Sequence, residues 1–462
     1  MEAMAATHEQ IVTVNPATEE EVGRYPVMSD GDVDAVLAAV HHRFAEWSRL
    51  SIDGRAEHMH ALAGLLRRRL DELAALITEE MGKPIAEARA EVSKCATTCD
   101  YYVDRAAEML ADQRAPSDVP RSFISFEPLG SVLAVMPWNF PLWQLIRFAV
   151  PALMAGNTVV VKHASNTTGS ALRLERLLVE AGFPDSVFRT LVIPAARVAR
   201  VIEDPRVAAV TVTGSDATGA QVAAVAGRAL KKTVLELGGS DAFVVLEDAD
   251  IAAAAAMAVR SRFQNCGQSC IAAKRLIVVD EVADGFEEAV VAECARLRVG
   301  DPTDLAIQMG PMARADLRDD LERQLSESVR QGARVAAGGR RPERRGWYFP
   351  PTVLVGCAAG MPAVEEETFG PLAAVIRVAG VEAALRAANH SAYGLGGNVW
   401  TADVERGVRF ARRMETGGVF VNGMTHSDPR LPFGGVKRSG YGRELHAFGI
   451  REFVNVKTIW VG

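Results

Sequence analysis

The chain has 462 residues, 49% of them hydrophobic, and a formal net charge of -7. This length and composition exceed what one hydrophobic core usually organises, so we expect two or three globular domains and exclude a disordered protein. Lys+Arg 51 against Asp+Glu 58 excludes a global basic field for nucleic acid.

The N-terminal stretch and the apolar runs bear on location. Residues 1–7 lack an apolar signal region, and apolar stretches such as residues 251–259 fall short of the roughly 18 residues that span a membrane. Six cysteines without regular spacing do not describe a disulfide framework. We therefore expect a cytoplasmic protein with neither membrane nor nucleic-acid partners.

The first third of the chain is predicted to be helical and to end in an arm. From residue 33 to about 110, leucines recur at spacings of three and four, and Gly82-Lys-Pro84 supplies a helix stop. Residues 123–130 then alternate between apolar and polar side chains, which predicts an exposed strand or hairpin arm. Such an arm favours pairing with another subunit.

The rest of the chain has α/β texture. Short apolar strands are predicted at residues 132–136, 158–161, 209–212, 234–237, 276–279, 372–378 and 419–422. Helical segments such as 168–181 and 216–226 separate the first four, which indicates a mainly parallel sheet, and the later strands indicate a second α/β domain. The strand-like residues 452–461 are expected to pair with the arm, within or across subunits.

The common nucleotide and metal motifs are absent from the sequence. No G-x-G-x-x-G follows a strand, and neither G-x4-G-K-[ST] nor H-E-x-x-H occurs. The strand at 209–213 does run straight into Gly214-Ser215 and a helix, which predicts a phosphate site at the helix N-terminus. A simple turn explains the same Gly-Ser pair equally well.

Cys266 and Cys270 lie four positions apart without metal-binding CxxC spacing, which leaves a redox pair, a ligand set or a nucleophile with a neighbour. Cys95 and Cys99, also four apart, are expected to pack inside a helix, because no histidine or carboxylate set accompanies them. We predict no metal site.

Several ordered motifs carry a resemblance to a known family. They are Pro137-Trp-Asn-Phe-Pro141, Thr213-Gly-Ser215, Glu236-Leu-Gly-Gly239, Gly267-Gln-Ser-Cys270, Glu367-Thr-Phe-Gly-Pro371 and the tail Pro432-Phe-Gly-Gly-Val-Lys-Arg-Ser-Gly-Tyr-Gly-Arg-Glu444. Together they closely resemble the aldehyde dehydrogenase superfamily over essentially the whole chain. The resemblance implies an α/β fold with a Rossmann-like cofactor domain (1–108 and 129–239), an α/β catalytic domain (240–431), and a small β oligomerisation arm with the C-terminal segment (109–128 and 432–462). It also implies a homodimer or homotetramer.

The resemblance assigns the chemistry to three residues. Cys270 matches the nucleophile that makes the aldehyde carbon tetrahedral, so that a hydride can leave and a thioester remain. Asn139 and the Cys270 backbone N–H match the oxyanion donors, and Glu236 matches the base that activates water. Standing alone, each residue is more often structural: a small buried hydrophobe, a turn residue or a solvated charge.

Other motif positions are implied to bind the cofactor. In the family, the strand containing Lys162 supplies a lysine to the adenosine ribose, and a glutamate follows three positions later in many NAD enzymes. Ser165 stands there in this chain. A carboxylate would repel a 2′-phosphate whereas serine donates to it, so NADP is preferred and NAD remains possible, unless Ser165 merely begins a turn. The matched positions for the nicotinamide, ribose and pyrophosphate are Trp138, Gly214, Ser215, Gly238, Glu367 and Phe369.

Within the superfamily the chain looks most like bacterial succinate-semialdehyde dehydrogenases. Arg147 and Ser427 fall where such relatives place a carboxylate-binding arginine and a hydroxyl donor. Some relatives carry a further arginine six residues before the nucleophile, where this chain has Gln264, and Arg262 is the nearest candidate. For Arg147, an internal ion pair is the alternative.

Other functions remain open from the sequence. Within enzymes they are oxidation of glutarate semialdehyde, aminoaldehydes or aliphatic aldehydes, and a simple cysteine hydrolase. A non-catalytic binding or structural protein on the same scaffold is the alternative of another class. A disulfide between Cys266 and Cys270 that silences the enzyme is a further hypothesis, since bridging requires Cα atoms within about 7 Å.

Overall fold

A small hairpin and a helical layer open the chain in the computed structural model, which describes residues 9–462. The elements are β1 (Gln10–Val14), β2 (Glu21–Pro26), α1 (Asp30–Trp47), α2 (Ile52–Arg68), α3 (Leu70–Met81) and α4 (Ile85–Met109). The predicted helical region and its stop are confirmed: α3 ends at Gly82, whose φ of 74° is a left-handed conformation that glycine adopts without strain.

The next elements are two antiparallel strands of the arm, followed by the parts of a parallel sheet. They are β3 (Gln113–Arg114), β4 (Arg121–Pro128), β5 (Ser131–Met136), α5 (Trp143–Met154), β6 (Thr158–His163), α6 (Thr168–Glu180), β7 (Phe188–Thr190), α7 (Val198–Glu203), β8 (Val207–Thr213), α8 (Asp216–Arg228) and β9 (Lys232–Glu236). The strand order is β9-β8-β5-β6-β7, with every neighbouring pair parallel. Side chains from α2, α3 and α4 share one hydrophobic cluster with this sheet and α5.

A second sheet follows. Its elements are β10 (Asp241–Val245), α9 (Ile251–Phe263), β11 (Ala273–Val279), α10 (Asp280–Cys294), α11 (Ala315–Arg330), β12 (Arg334–Ala337), β13 (Thr352–Val355), α12 (Pro362–Glu365), β14 (Leu372–Val378), α13 (Val381–Asn389), β15 (Tyr393–Gly394), β16 (Gly396–Trp400), α14 (Val404–Ala411) and β17 (Gly418–Val421). The order is β12-β13-β14-β11-β10-β16-β17, and only β12 is antiparallel to its neighbour. The fold is therefore α/β with two sheets, as predicted.

The closing segment pairs with strands in three different regions of the chain. It contains β18 (Val436–Lys437), β19 (Gly440–Tyr441), α15 (His446–Ile450) and β20 (Val454–Val461). Strand β18 pairs with β15, β19 with β9, and β20 with β4 in the arm. The predicted pairing of the arm with the C-terminal strand thus occurs within the chain.

The two main sheets divide between β9 and β10, at the predicted boundary near residue 240, and the assignment of domains stays a prediction. No helix in residues 9–462 is long and apolar enough to cross a membrane.

A buried ion pair ties the start of α4 to the start of α5. Lys83 and Glu91 form a salt bridge with side chains 0% and 1% exposed. The Glu91 carboxylate also accepts hydrogen bonds from the backbone N–H groups of Leu142 and Trp143, both at 2.9 Å. Glu91 therefore holds the N-terminus of the helix that carries Arg147.

Replacing Glu91 with Ala leaves the Lys83 ammonium buried without its anion and two N–H groups without an acceptor. We expect a loss of about 3–5 kcal/mol in unfolding free energy, measured from urea unfolding midpoints. The matched control is Glu108→Ala, an exposed acid on the same helix that pairs with Arg105 at the surface. It should change stability by no more than about 0.5 kcal/mol. Equal losses in the two variants would contradict a structural role for the buried pair.

Candidate active site

Two cavities meet at Cys270. One, of about 610 Å³, is lined by residues from α4, α5 and α9 and from the segment before β18. The other, of about 650 Å³, lies at the carboxyl ends of β5, β6, β8 and β9, where parallel sheets usually bind ligands. Cys270 and Gln144 line both cavities. A group bound in either cavity can therefore reach the thiol.

The loop before Cys270 has an unusual backbone. Asn265, Cys266 and Gly267 have φ values of 53°, 55° and 73°, all in the left-handed region. Non-glycine residues are strained there and persist only when their surroundings hold them. The Asn265 N–H donates to the Glu87 carboxylate at 2.6 Å, and its side-chain amide donates to the carbonyl of Asn139 at 2.8 Å. These bonds fix the loop that presents the cysteine.

Arg262 also stabilises this loop through hydrogen bonds. Its side chain is fully buried, and its guanidinium donates to the backbone carbonyls of Leu372 at 2.6 Å, Thr368 at 2.9 Å and Gly267 at 3.1 Å, and to that of Gly370. It does not line either cavity among the described residues. The prediction that Arg262 binds substrate is therefore wrong, because its donors already satisfy buried carbonyls.

Asn139 and Glu236 line the second cavity with Cys270. The Asn139 amide nitrogen donates to the carbonyl of Gln268 at 3.1 Å, which leaves its second hydrogen for another acceptor. Glu236 ends β9 and is buried, and within residues 9–462 neither carboxylate oxygen has a hydrogen-bond partner. Burial, followed by the charge of Glu444, raises the pKa of Glu236 well above its usual range, and Arg147 opposes that rise.

Arg147 forms a buried ion pair with Glu444, and their side chains are 2% and 4% exposed. It also lines the first cavity, and its guanidinium lies 4.6 Å from the centroid of the Phe433 ring. The internal ion pair weighed for Arg147 is thus present, while substrate binding by Arg147 stays a prediction. Burial raises the pKa of Cys270 to about 12, and the positive charge of Arg147 is the largest opposing influence.

The predicted cofactor positions collect in the second cavity. Seven of them line it: Trp138, Lys162, Gly214, Ser215, Gly238, Glu367 and Phe369. Ser165 does not; it is exposed and begins a short 3-10 turn directly after β6, beside the lining residue Ala164. Its role in cofactor choice stays a prediction, and its position next to a lining residue is compatible with that role.

The chemistry of this cavity fits an adenine dinucleotide. Lys162 is buried without an ion-pair partner among residues 9–462, and burial lowers its pKa. Ser215 caps α8 by accepting the N–H of Thr218 at 3.2 Å, so this helix N-terminus faces the cavity as an anion site. Apolar walls suit an adenine ring, and they include Ala195, Ala196, Val198, Ile202 and Val222.

The opposite end of that cavity holds Glu367 and Phe369. The Glu367 carboxylate accepts the N–H of Gly239 at 3.0 Å and the ammonium of Lys274 at 2.6 Å. The rings of Phe369 and Trp138 meet edge to face, with centroids 5.6 Å apart. Lys274 therefore orients the carboxylate that is expected to bind ribose hydroxyls.

The first cavity contains Ser427 and a cation that the sequence analysis did not identify. Ser427 is buried, and its hydroxyl accepts a hydrogen bond of 2.7 Å from Lys94 on α4. Glu444, Lys274 and Asn265 were likewise not among the predicted site residues. The sequence contained a signal for Lys94: it is a charged residue next to Cys95, on a part of α4 whose neighbouring positions are buried. Glu444 lay in the quoted tail motif without a role.

Cys266 and Cys270 have different surroundings. The thiol of Cys266 donates to the Gly310 carbonyl at 3.4 Å and packs in a cluster of the second sheet. Cys270 packs against the cluster of the first sheet, and both are free thiols. This arrangement does not favour a Cys266–Cys270 disulfide. Among residues 9–462, no three His, Cys, Asp or Glu side chains form a group that could hold a metal ion.

Comparisons with known proteins agree with this geometry. The sequence profile described as "Aldehyde dehydrogenase family" matches residues 3–459. A Mycobacterium ulcerans protein named succinate-semialdehyde dehydrogenase (NADP+) 1 is 49% identical over 98% of this chain and 100% of its own length. Its namesake in Mycobacterium tuberculosis is 48% identical over 98% and 99%. The crystal structure of succinic semialdehyde dehydrogenase from Streptococcus pyogenes in complex with NADP+ superimposes with a TM-score of 0.96, at 37% identity over 98% and 99%.

The raised pKa of Cys270 predicts how its alkylation depends on pH. A thiol with a pKa of about 12 is protonated at neutral pH, and only the thiolate reacts quickly with iodoacetamide. Without added cofactor, the alkylation rate should rise about tenfold per pH unit from pH 7 to 9. The other five cysteines are buried, so mass spectrometry should find Cys270 labelled first and the folded Cys270→Ser variant unlabelled. A rate that levels off below pH 8 would contradict the raised pKa.

Proposed function

The chain belongs to the aldehyde dehydrogenase family, and from that premise we propose that it oxidises succinate semialdehyde to succinate with NADP+. One observation carries the proposal: Cys270 lies where a cavity suited to a dinucleotide meets a second cavity that contains cations. The activity named for the Mycobacterium relatives and for the Streptococcus pyogenes structure supports the same substrate and cofactor.

The first chemical step belongs to Cys270 and Asn139. The Cys270 thiol first gives its proton to a base, and the Glu236 carboxylate lines the same cavity for that role. The thiolate then attacks the aldehyde carbon, a C–S bond forms, and the carbonyl electron pair moves to oxygen. The free hydrogen of the Asn139 amide and the Cys270 backbone N–H would stabilise this oxyanion. Removing such a donor typically costs about 2.7–4 kcal/mol in the transition state.

Bound NADP+ supplies a hydride acceptor. Lys162 and the N-terminus of α8 would hold its phosphates, and Glu367, oriented by Lys274, would hold the nicotinamide ribose. Once the hydride has left the tetrahedral carbon, the acyl group stays on Cys270 as a thioester.

Hydrolysis of the thioester requires Glu236. As a carboxylate it takes a proton from water, the water oxygen attacks the thioester carbon, and the Cys270 thiolate leaves as succinate forms. Burial favours the protonated acid, so the base must first lose its proton within the positive potential of Arg147. Arg147 therefore favours the anionic forms of both the nucleophile, Cys270, and the base, Glu236.

The preference for NADP+ over NAD+ rests on charge. Lys162 is a buried ammonium with no carboxylate partner in residues 9–462, and Ser165, next to the lining residue Ala164, adds no negative charge there. A 2′-phosphate is attracted under these conditions. NAD+ lacks only that phosphate and remains a usable cofactor.

The chain is also proposed to work in the cytoplasm as a homodimer or homotetramer. Strand β20 is the outer strand of the arm sheet and exposes Val456 and Trp460, at 60% and 61%. An exposed apolar edge strand favours pairing with a second copy.

A steady-state screen tests the proposed function. Succinate semialdehyde, glutarate semialdehyde and butanal are each combined with NADP+ and NAD+. We expect the highest kcat/KM for succinate semialdehyde with NADP+, and no NADPH production by a folded Cys270→Ala variant. Equal kcat/KM values for butanal and succinate semialdehyde would overturn the substrate assignment.

Replacing Ser165 with Glu should separate the two cofactors. The new carboxylate repels a 2′-phosphate and can accept hydrogen bonds from ribose hydroxyls, so KM for NADP+ should rise about tenfold or more. KM for NAD+ should change by less than about threefold. The control is Ser165→Ala, which removes the hydroxyl without adding charge. Equal increases for both cofactors in Ser165→Glu would show that Ser165 only shapes the turn.

A further inference from the structure

The first cavity contains a cation with no counterion. Lys94, on α4, is half-buried, and its ammonium donates to the Ser427 hydroxyl at 2.7 Å. The ammonium also lies 4.0 Å from the centroid of the Trp143 ring. No carboxylate within residues 9–462 forms an ion pair with it. A hydroxyl and an aromatic face stabilise a desolvated ammonium only in part.

The acids around Lys94 are committed to other partners. Glu91, on the same helix, pairs with Lys83 and caps the start of α5. Asp428, on the segment after β17, binds Arg430 at 2.6 Å. Glu444 pairs with Arg147. Glu91 and Asp428 attract the ammonium without contacting it, and none of the three acids forms an ion pair with it.

Arg147, on α5, lines the same cavity and repels the Lys94 ammonium. Burial, followed by repulsion from Arg147, lowers the pKa of Lys94 to about 8. Two cations that repel each other across a cavity are stabilised by an anion bound between them. The other arginines of this cavity, Arg260 and Arg296, are exposed, and Arg296 already pairs with Glu293.

Resting on the proposed function, we infer that Lys94, together with Ser427, binds the distal carboxylate of the substrate. The ammonium supplies a charge-assisted hydrogen bond, and Ser427, which accepts from Lys94, has its own hydrogen free for the second carboxylate oxygen. Lys94 thereby supplies a second cation in this cavity, besides Arg147, for the substrate carboxylate. Gln264 lines the same cavity but is uncharged.

In this assignment, Arg147 and Lys94 have different roles. Arg147 is shared with Glu444 and with the potential at Cys270 and Glu236. Lys94 has no such commitment. The aldehyde end of the substrate therefore lies at Cys270 and its carboxylate end at the Lys94–Ser427 pair.

The test uses two aldehydes of equal chain length, succinate semialdehyde and butanal, which differ in the distal carboxylate. The readout is the ratio of their kcat/KM values with NADP+. Lys94→Met should lower this ratio roughly 10- to 100-fold, as expected for losing a charged hydrogen bond. Lys94→Arg should restore much of the preference, and Ser427→Ala should lower it by a smaller factor.

The matched control is Arg105→Met, which removes one positive charge from the exposed side of the same helix. Its ratio should equal that of the parent. Inhibition supplies a second readout: the Ki of succinate should rise in Lys94→Met, whereas the Ki of butyrate, which has no distal carboxylate, should not.

The outcomes are distinct. A parent enzyme without preference for succinate semialdehyde over butanal overturns the proposed function, and this inference with it. A parent with that preference, unchanged in Lys94→Met, overturns the role of Lys94 alone. Equal loss for both aldehydes shows a structural role and also overturns it. If Lys94→Met does not fold, Lys94→Gln, which keeps a hydrogen-bond donor and removes the charge, decides by the same ratio: a lowered ratio supports the role of Lys94 and an unchanged one overturns it.

Discussion

The buried guanidinium of Arg147 is the interaction on which the rest of the site depends. Burial disfavours negative charge on Glu444, Glu236 and Cys270, and the positive charge of Arg147 opposes that effect at all three. A buried cation is costly unless it is paired, and Glu444 supplies the pair. The same commitment limits what Arg147 can do for a substrate anion. A separate cation, Lys94 on α4, is therefore available to bind the substrate anion.

A second constraint is the backbone before Cys270. Three consecutive residues, Asn265 to Gly267, lie in the left-handed region, which a free loop would leave. Two buried polar side chains hold it there: Asn265 bonds to the Asn139 segment, and Arg262 bonds to carbonyls on the approach to β14. These hydrogen bonds keep the strained loop, and with it Cys270, at the junction of the two cavities. Arg262, although close to the nucleophile in sequence, therefore has a structural role.

The site exists only where the two sheets and the closing segment meet. Glu236 ends a strand of the first sheet, and Cys270 leads into β11 of the second. The closing segment pairs with strands near both and contributes Glu444 and Phe433. Catalytic groups from different sheets are held in fixed relative positions by backbone pairing, which is more rigid than contact between loops.

The sequence by itself determined the α/β class, the helical region at the start of the chain, several strands of each main sheet, and the residues that match family motifs. Strand β14 was predicted with the same bounds, 372–378, because a short apolar run between Gly370-Pro371 and Gly380 is a local signal. Only the tertiary structure decided which charged side chains face a cavity and which are satisfied by carbonyls. Arg262 turns inward to bind backbone 106 to 110 residues away, and Lys94 meets Ser427 across 333 residues of chain. Such pairings depend on partners distant in sequence, which spacing along the chain does not identify.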